Sequence, residues 1–164
     1  MPKCFQIMNE SVLRDFFLGR VQPAALAADI RGSIKLLTAV EAAVEIEDMH
    51  DEFAITCPML VSLCDAVLSG YFPADGLRVI GFALVASDAF AWEDDLISEV
   101  VNHWSCPEIN YPLTPENIER FRNWLSGAEP YPARPRPGER QKEGRLVSVT
   151  RKVAVLGQRS QKRN

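Results

Sequence analysis

The stretch SIKLLTAVEAAVEIEDMHDEFAI, residues 33–55, decides the fold class. Its first half is alanine-rich and fits a helix, whereas AAVEIED fits a short strand because Val44 and Ile46 alternate with acids. Read as helix, it completes an all-α protein; read as strand, it needs a partner that its neighbours do not advertise. The spacing leaves both readings open for this stretch. EIEDMHDE is, in either case, a dense acidic run.

Outward from this stretch the helical signals are regular. Asn9 can cap a helix through about Leu18, with Val12, Leu13, Phe16 and Phe17 on its apolar face and Gly19 as its stop. Pro23 suits the first turn of a second helix carrying Leu26, Ala27 and Ile30. After Thr56 and Pro58, the residues Leu60, Leu63, Cys64, Val67 and Leu68 follow the i, i+3, i+4 pattern up to Gly70. A further helix follows Pro73 and Asp75, with Leu77, Ile80, Leu84 and Val85 apolar and Ser87-Asp88 closing it. The next begins near Trp92, with Glu93, Asp94 and Asp95 in a first turn favoured by the helix dipole and Ile97, Val100, Val101 and Trp104 as its buried stripe. In CPEINYPLTPENIERFRNWL, residues 106–125, Pro107 stops that helix and Pro112 holds an extended turn. Thr114-Pro115-Glu116 then caps a last helix with Ile118, Phe121 and Leu125 inward. These signals predict an all-α, compact five- to six-helix bundle over residues 1–129, followed by a flexible basic C-terminal tail, residues 130–164.

The 164 residues suit one domain with a core of its own. At 47% hydrophobic and 24% charged, the composition excludes a chain disordered throughout. No leader of bases followed by an apolar run and no bilayer-length apolar stretch is legible, so a soluble cytoplasmic protein without membrane contact is expected. The four cysteines lack the spacing of a disulfide scaffold and read as reduced thiols. Charge is divided sharply: residues 1–130 carry 8 Lys/Arg against 20 Asp/Glu, and residues 131–164 carry 10 against 2. An acidic body of this sign disfavours nucleic acid, except non-specifically through the tail.

No catalytic motif appears, and no catalytic residue is assigned. His103 and Cys106, with Cys57 and Cys64, offer enough ligands for a zinc site, but Cys64 falls within an apolar stripe and the four read as core and cap positions. A Cys106–His103 nucleophile–base pair lacks a third orienting residue, and His50 sits among acids as a solvated side chain. The acids at 88–99 lack the glycine of a calcium loop. No metal or cofactor is therefore expected. What remains is a surface of Asp88, Glu93, Asp94, Asp95 and Glu99 beside Tyr111 on its proline-fixed corner, suited to a basic protein partner.

LRDFFLGRVQPAALAADI, residues 13–30, and EDDLISEVVNHW, residues 93–104, resemble the small helical immunity proteins of the colicin-D-immunity-like group. The resemblance implies an inhibitor that masks the active cleft of a basic bacterial toxin, with Asp94, Asp95, Glu99 and Tyr111 at the contact. The alternative is a small enzyme or metal-binding protein using His103 and Cys106.

Overall fold

The computed structural model describes residues 8–31, 33–36, 42–109, 111–132 and 152–153. It is mostly helical. The helices are α1 (Glu10–Phe17), α2 (Pro23–Ile30), α3 (Cys57–Leu68), α4 (Asp75–Ala86), α5 (Asp95–Ser105) and α6 (Pro115–Ser126). The short strands are β1 (Met8–Asn9), β2 (Ile34–Leu36), β3 (Ala42–Glu47), β4 (Phe53–Ala54), β5 (Phe90–Ala91) and β6 (Lys152–Val153).

Each helix buries the stripe that its spacing dictates. Leu13 and Phe16 of α1, Leu26, Ala27 and Ile30 of α2, and Leu60, Leu63 and Cys64 of α3 all lie in one core. Trp104 of α5 and Phe121 of α6 are its largest fully buried side chains. Periodicity overreaches at two places, since Leu68 is 42% and Val85 is 49% exposed. Both stand at the last turn of a helix, where the apolar arc has already rotated out of the core.

α4 is buried almost all round and packs against α5, while α3 packs against α6. Gly81 lets the first pair close up. A Cβ there would lie 2.8 Å from the backbone nitrogen of Ser105 and 2.9 Å from Cβ of Trp104. Between α3 and α6, Arg122 pairs with Asp65, but both side chains are near half exposed, so the buried Leu60, Leu63, Phe121 and Leu125 hold that interface.

Two details of the helix ends differ from expectation and a third agrees with it. Asn9 stands at the N-cap of α1 but makes no side-chain cap bond; its backbone N–H and Nδ2 both donate to Asp29 of α2, at 2.8 and 2.7 Å. α5 begins at Asp95 rather than near Trp92, and Asp94 is its N-cap, so of the three acids only Asp95 lies in the first turn. Thr114 does cap α6, accepting from the Asn117 N–H at 3.3 Å, and Gly127 closes that helix at φ +76°. A left-handed stop of this kind favours glycine.

The all-α expectation is corrected for residues 33–55, which supply β2, β3 and β4. β3 lies between β1, parallel with Met8 opposite Ile46, and β2, antiparallel with Ile34 opposite Val44. Alanine's helix preference loses here because partners remote in sequence supply the ladder. The fully buried Glu10 fixes the turn that follows β3 by accepting the Met49 N–H at 3.0 Å. β6 pairs parallel with β3, so the 152–153 part of the expected tail has a partner; residues 133–151 and 154–164 lie outside the described residues. No helix of the described residues is long and apolar enough to cross a membrane.

Replacing Gly81 with Ala should lower stability by about 1–3 kcal/mol, the usual cost of overpacking, even though alanine is the better helix former. Urea denaturation checks this, with Val85→Ala on the exposed face of the same helix as the control. An unchanged or raised midpoint for Gly81→Ala would contradict the close α4–α5 contact.

Candidate partner-binding face

Two separated acidic runs meet because β4 and β5 pair in parallel, Phe53 opposite Phe90 and Ala54 opposite Ala91. The Phe53 N–H donates to the Ala89 carbonyl and the Ile55 N–H to the Ala91 carbonyl, both at 2.7 Å. Phe53 lies edge-on to Phe90 and stacks parallel to Phe17 of α1, ring centroids 6.3 Å apart in each case. Glu47, Asp48, Asp51 and Glu52, ahead of β4 in the chain, are exposed, as are Asp88, Glu93, Asp94 and Asp95, which flank β5. Arg14 reaches Asp51 at 3.8 Å but is also engaged with Asp15, leaving the face strongly negative.

A groove of about 510 Å³ is lined from both runs. Buried Ile55 and Ile97, with half-buried Trp92, form its apolar lining, and exposed Glu52, Glu93 and Asp94 stand around it. Asp94 is doubly engaged: Oδ1 accepts from the Leu96 N–H at 2.9 Å, and Oδ2 accepts from Sγ of Cys57 at 3.4 Å. Burial, and then the hydrogen bond and charge of Asp94, push the Cys57 thiol up to about 11. Burial and the charge of Asp65 push that of Cys64 up to about 12. Both are neutral thiols at physiological pH, poor nucleophiles and poor metal ligands.

The other expected residues lie toward the far end of α5. Asp95, Glu99 and His103 follow one another at i, i+4 spacing, so His103 stands about 12 Å along the helix from Asp95. Tyr111 is half-buried rather than an exposed tip, with its ring edge-on to His103 at 4.8 Å, Trp124 at 5.4 Å and Phe121 at 5.8 Å. Tyr131 joins this cluster against Trp124 at 4.9 Å. A carboxylate can only accept, so the Tyr131 hydroxyl donates to Glu99 Oε2 at 3.4 Å, and Nε2–H of His103 donates to the tyrosine oxygen at 2.9 Å. The six sequence-assigned residues thus divide: Glu93 and Asp94 line the groove, Asp88 and Asp95 are exposed next to β5 and at the start of α5 without lining it, and Glu99 and Tyr111 belong to an aromatic corner.

Sequence reasoning missed Glu52 and Trp92 as groove residues, because FAI and FAW were not recognised as a strand pair, and missed Tyr131 because its proline-rich surroundings read as linker. His103 and Cys106 are three residues apart, but no described hydrogen bond joins them; Sγ of Cys106 takes only a weak 3.8 Å contact from Ser105 Oγ. Among the described residues no three His, Cys, Asp or Glu side chains are arranged to hold a metal ion. No protein-family model matches the sequence, and no curated protein or solved structure matches it either.

Burial holds the His103 imidazole below its ordinary value of about 6.5. The folded state therefore favours the neutral ring, and its contribution to stability is complete above the unfolded value and is lost as pH falls through the lower, folded one. Stability measured by urea at pH 7 and pH 5 should fall less for His103→Gln than for the wild type, since glutamine keeps a donor for Tyr131 but does not titrate. Equal falls in both proteins would contradict the buried neutral imidazole.

Proposed function

We propose that this chain is an acidic protein-binding domain whose groove between the 47–52 and 88–95 runs receives a basic segment of a partner protein. The observation that carries the reading is the β4–β5 pairing, which turns two acidic runs into one face with an apolar, tryptophan-bearing groove at its centre. Exposed like charges raise the encounter rate with an oppositely charged partner, and a desolvated aromatic lengthens the life of the complex. In its most specific form, which the resemblance to colicin-D-immunity-like proteins suggests, the partner is a basic bacterial toxin and the face covers its active cleft. Tyr111 and Glu99 then act from the corner, holding α5 and the preceding loop in place, more than as free anchors.

The test separates steering from anchoring. The partner is isolated from cell extract on the wild-type chain, identified, purified and measured by surface kinetics. Glu93→Lys combined with Asp95→Lys should slow association at least tenfold at low salt, with the difference shrinking toward 0.5 M salt as screening shortens the reach of the charges. Asp94 is left intact because its cap bond is structural. Trp92→Ala should instead raise the dissociation rate by a factor equivalent to roughly 2 kcal/mol, the hot-spot threshold. A partner whose kinetics ignore both variants would overturn the assignment of this face.

A further inference from the structure

We propose that the outer edge of β4 is a strand-addition site, at which an extended basic segment of the partner pairs with Ala54 and Thr56 as a third strand beside β4 and β5. The Phe53 and Ile55 N–H groups both face β5. Successive residues of a strand turn their N–H and C=O to opposite sides, so Ala54, between these two, turns its own outward. Neither group has a hydrogen-bond partner among the described residues. Thr56 is still extended, at φ −123° and ψ 158°, and repeats the outward direction with its N–H, while its carbonyl is taken by the first turn of α3. Glu52, Ala54 and Thr56 are all exposed, so the edge is open at three alternate positions.

The side chains select the occupant. Glu52, Ala54 and Thr56 line the groove together with Ala91 and Glu93, whereas Phe53 lies on the opposite face with its register partner Phe90. Ala54 is too short to shield the backbone beside it. Strand edges are commonly guarded against pairing by lysine, proline or a covering segment; here the exposed side chains beside the edge include Asp51, Glu52, Glu93 and Asp94. These acids turn away a second copy of the same edge and favour a strand of opposite sign. Side chains of an added strand alternate between the same two faces. The segment that fits therefore carries lysine or arginine at every second position, over the groove, and apolar residues between them, toward Phe53. Main-chain bonds supply affinity, and the alternate basic positions supply the choice of partner. Strand addition rests on the docking reading above, and adds to it the conformation and spacing of the ligand.

The experiment uses the full chain and three short end-blocked peptides of alternating lysine and valine. One is unmodified, one is methylated at the backbone nitrogen of every lysine, and one at that of every valine. In a paired strand only alternate N–H groups face the neighbour. One methylated peptide should therefore bind at least tenfold more weakly than the parent and the other within about twofold of it, by titration calorimetry at low salt. Hydrogen exchange at the Ala54 and Thr56 amides, followed by NMR, should slow at least tenfold on saturation with the parent peptide. Equal weakening by the two methylated peptides, equal binding of all three, or unaltered exchange at Ala54 and Thr56 would overturn strand addition. Equal binding of all three that is lost in Glu93→Lys combined with Asp95→Lys would overturn strand addition alone and leave the docking reading in place. A chain that binds none of the peptides would remove both.

Discussion

Two backbone hydrogen bonds, Phe53 to Ala89 and Ile55 to Ala91, hold together segments that the sequence separates by more than thirty residues. A two-stranded pair this short has little stability alone. It survives because Phe17, Phe53 and Phe90 pack together at the pair, so that its loss would expose aromatic surface as well as give up two hydrogen bonds. The acids flanking it repel one another, an expense kept small by their full exposure to water. Without this pairing the two acidic runs would be separate solvated loops; with it they form one field around one groove.

α5 transmits the position of that face to the rest of the molecule. Its N-terminus is fixed by the Asp94 cap, its middle by the buried Val100 and Val101, and its far end by the close approach of Gly81 to Trp104 and Ser105 and by the His103, Tyr111, Trp124 and Tyr131 rings. A surface mounted on so constrained a helix keeps its charges in register, which matters for recognition by shape and field together. The corner at residues 106–114 is thus structural: it lays the α5–α6 turn and the chain past α6 back onto the same helix end.

The helices were legible because their information is local. In α3, α5 and α6 a proline or cap, an apolar stripe at helical period and a stop coincide within a dozen residues. The sheet was not, because β3 finds β1 across α1 and α2, and its alanine content argues for the helix that it does not form. Exposure at Leu68 and Val85, and burial at Tyr111, depend on where a helix or loop ends relative to its neighbours, which no spacing encodes. Four acids of the face, Asp88, Glu93, Asp94 and Asp95, could be named from composition and helix-end logic. Glu52 and Trp92 could not, since their membership follows only from the β4–β5 pairing.

The most direct test of a single composite face is amide chemical-shift mapping of the full-length, isotope-labelled chain titrated with a short peptide of alternating lysine and arginine at low salt. The expected result is that residues 47–57 and 89–97 shift together, along one saturation curve, and that Phe53→Ala uncouples the two sets while the α3, α4 and α6 amides stay in place. Shifts confined to one run, or two runs that saturate independently in the wild type, would contradict the account.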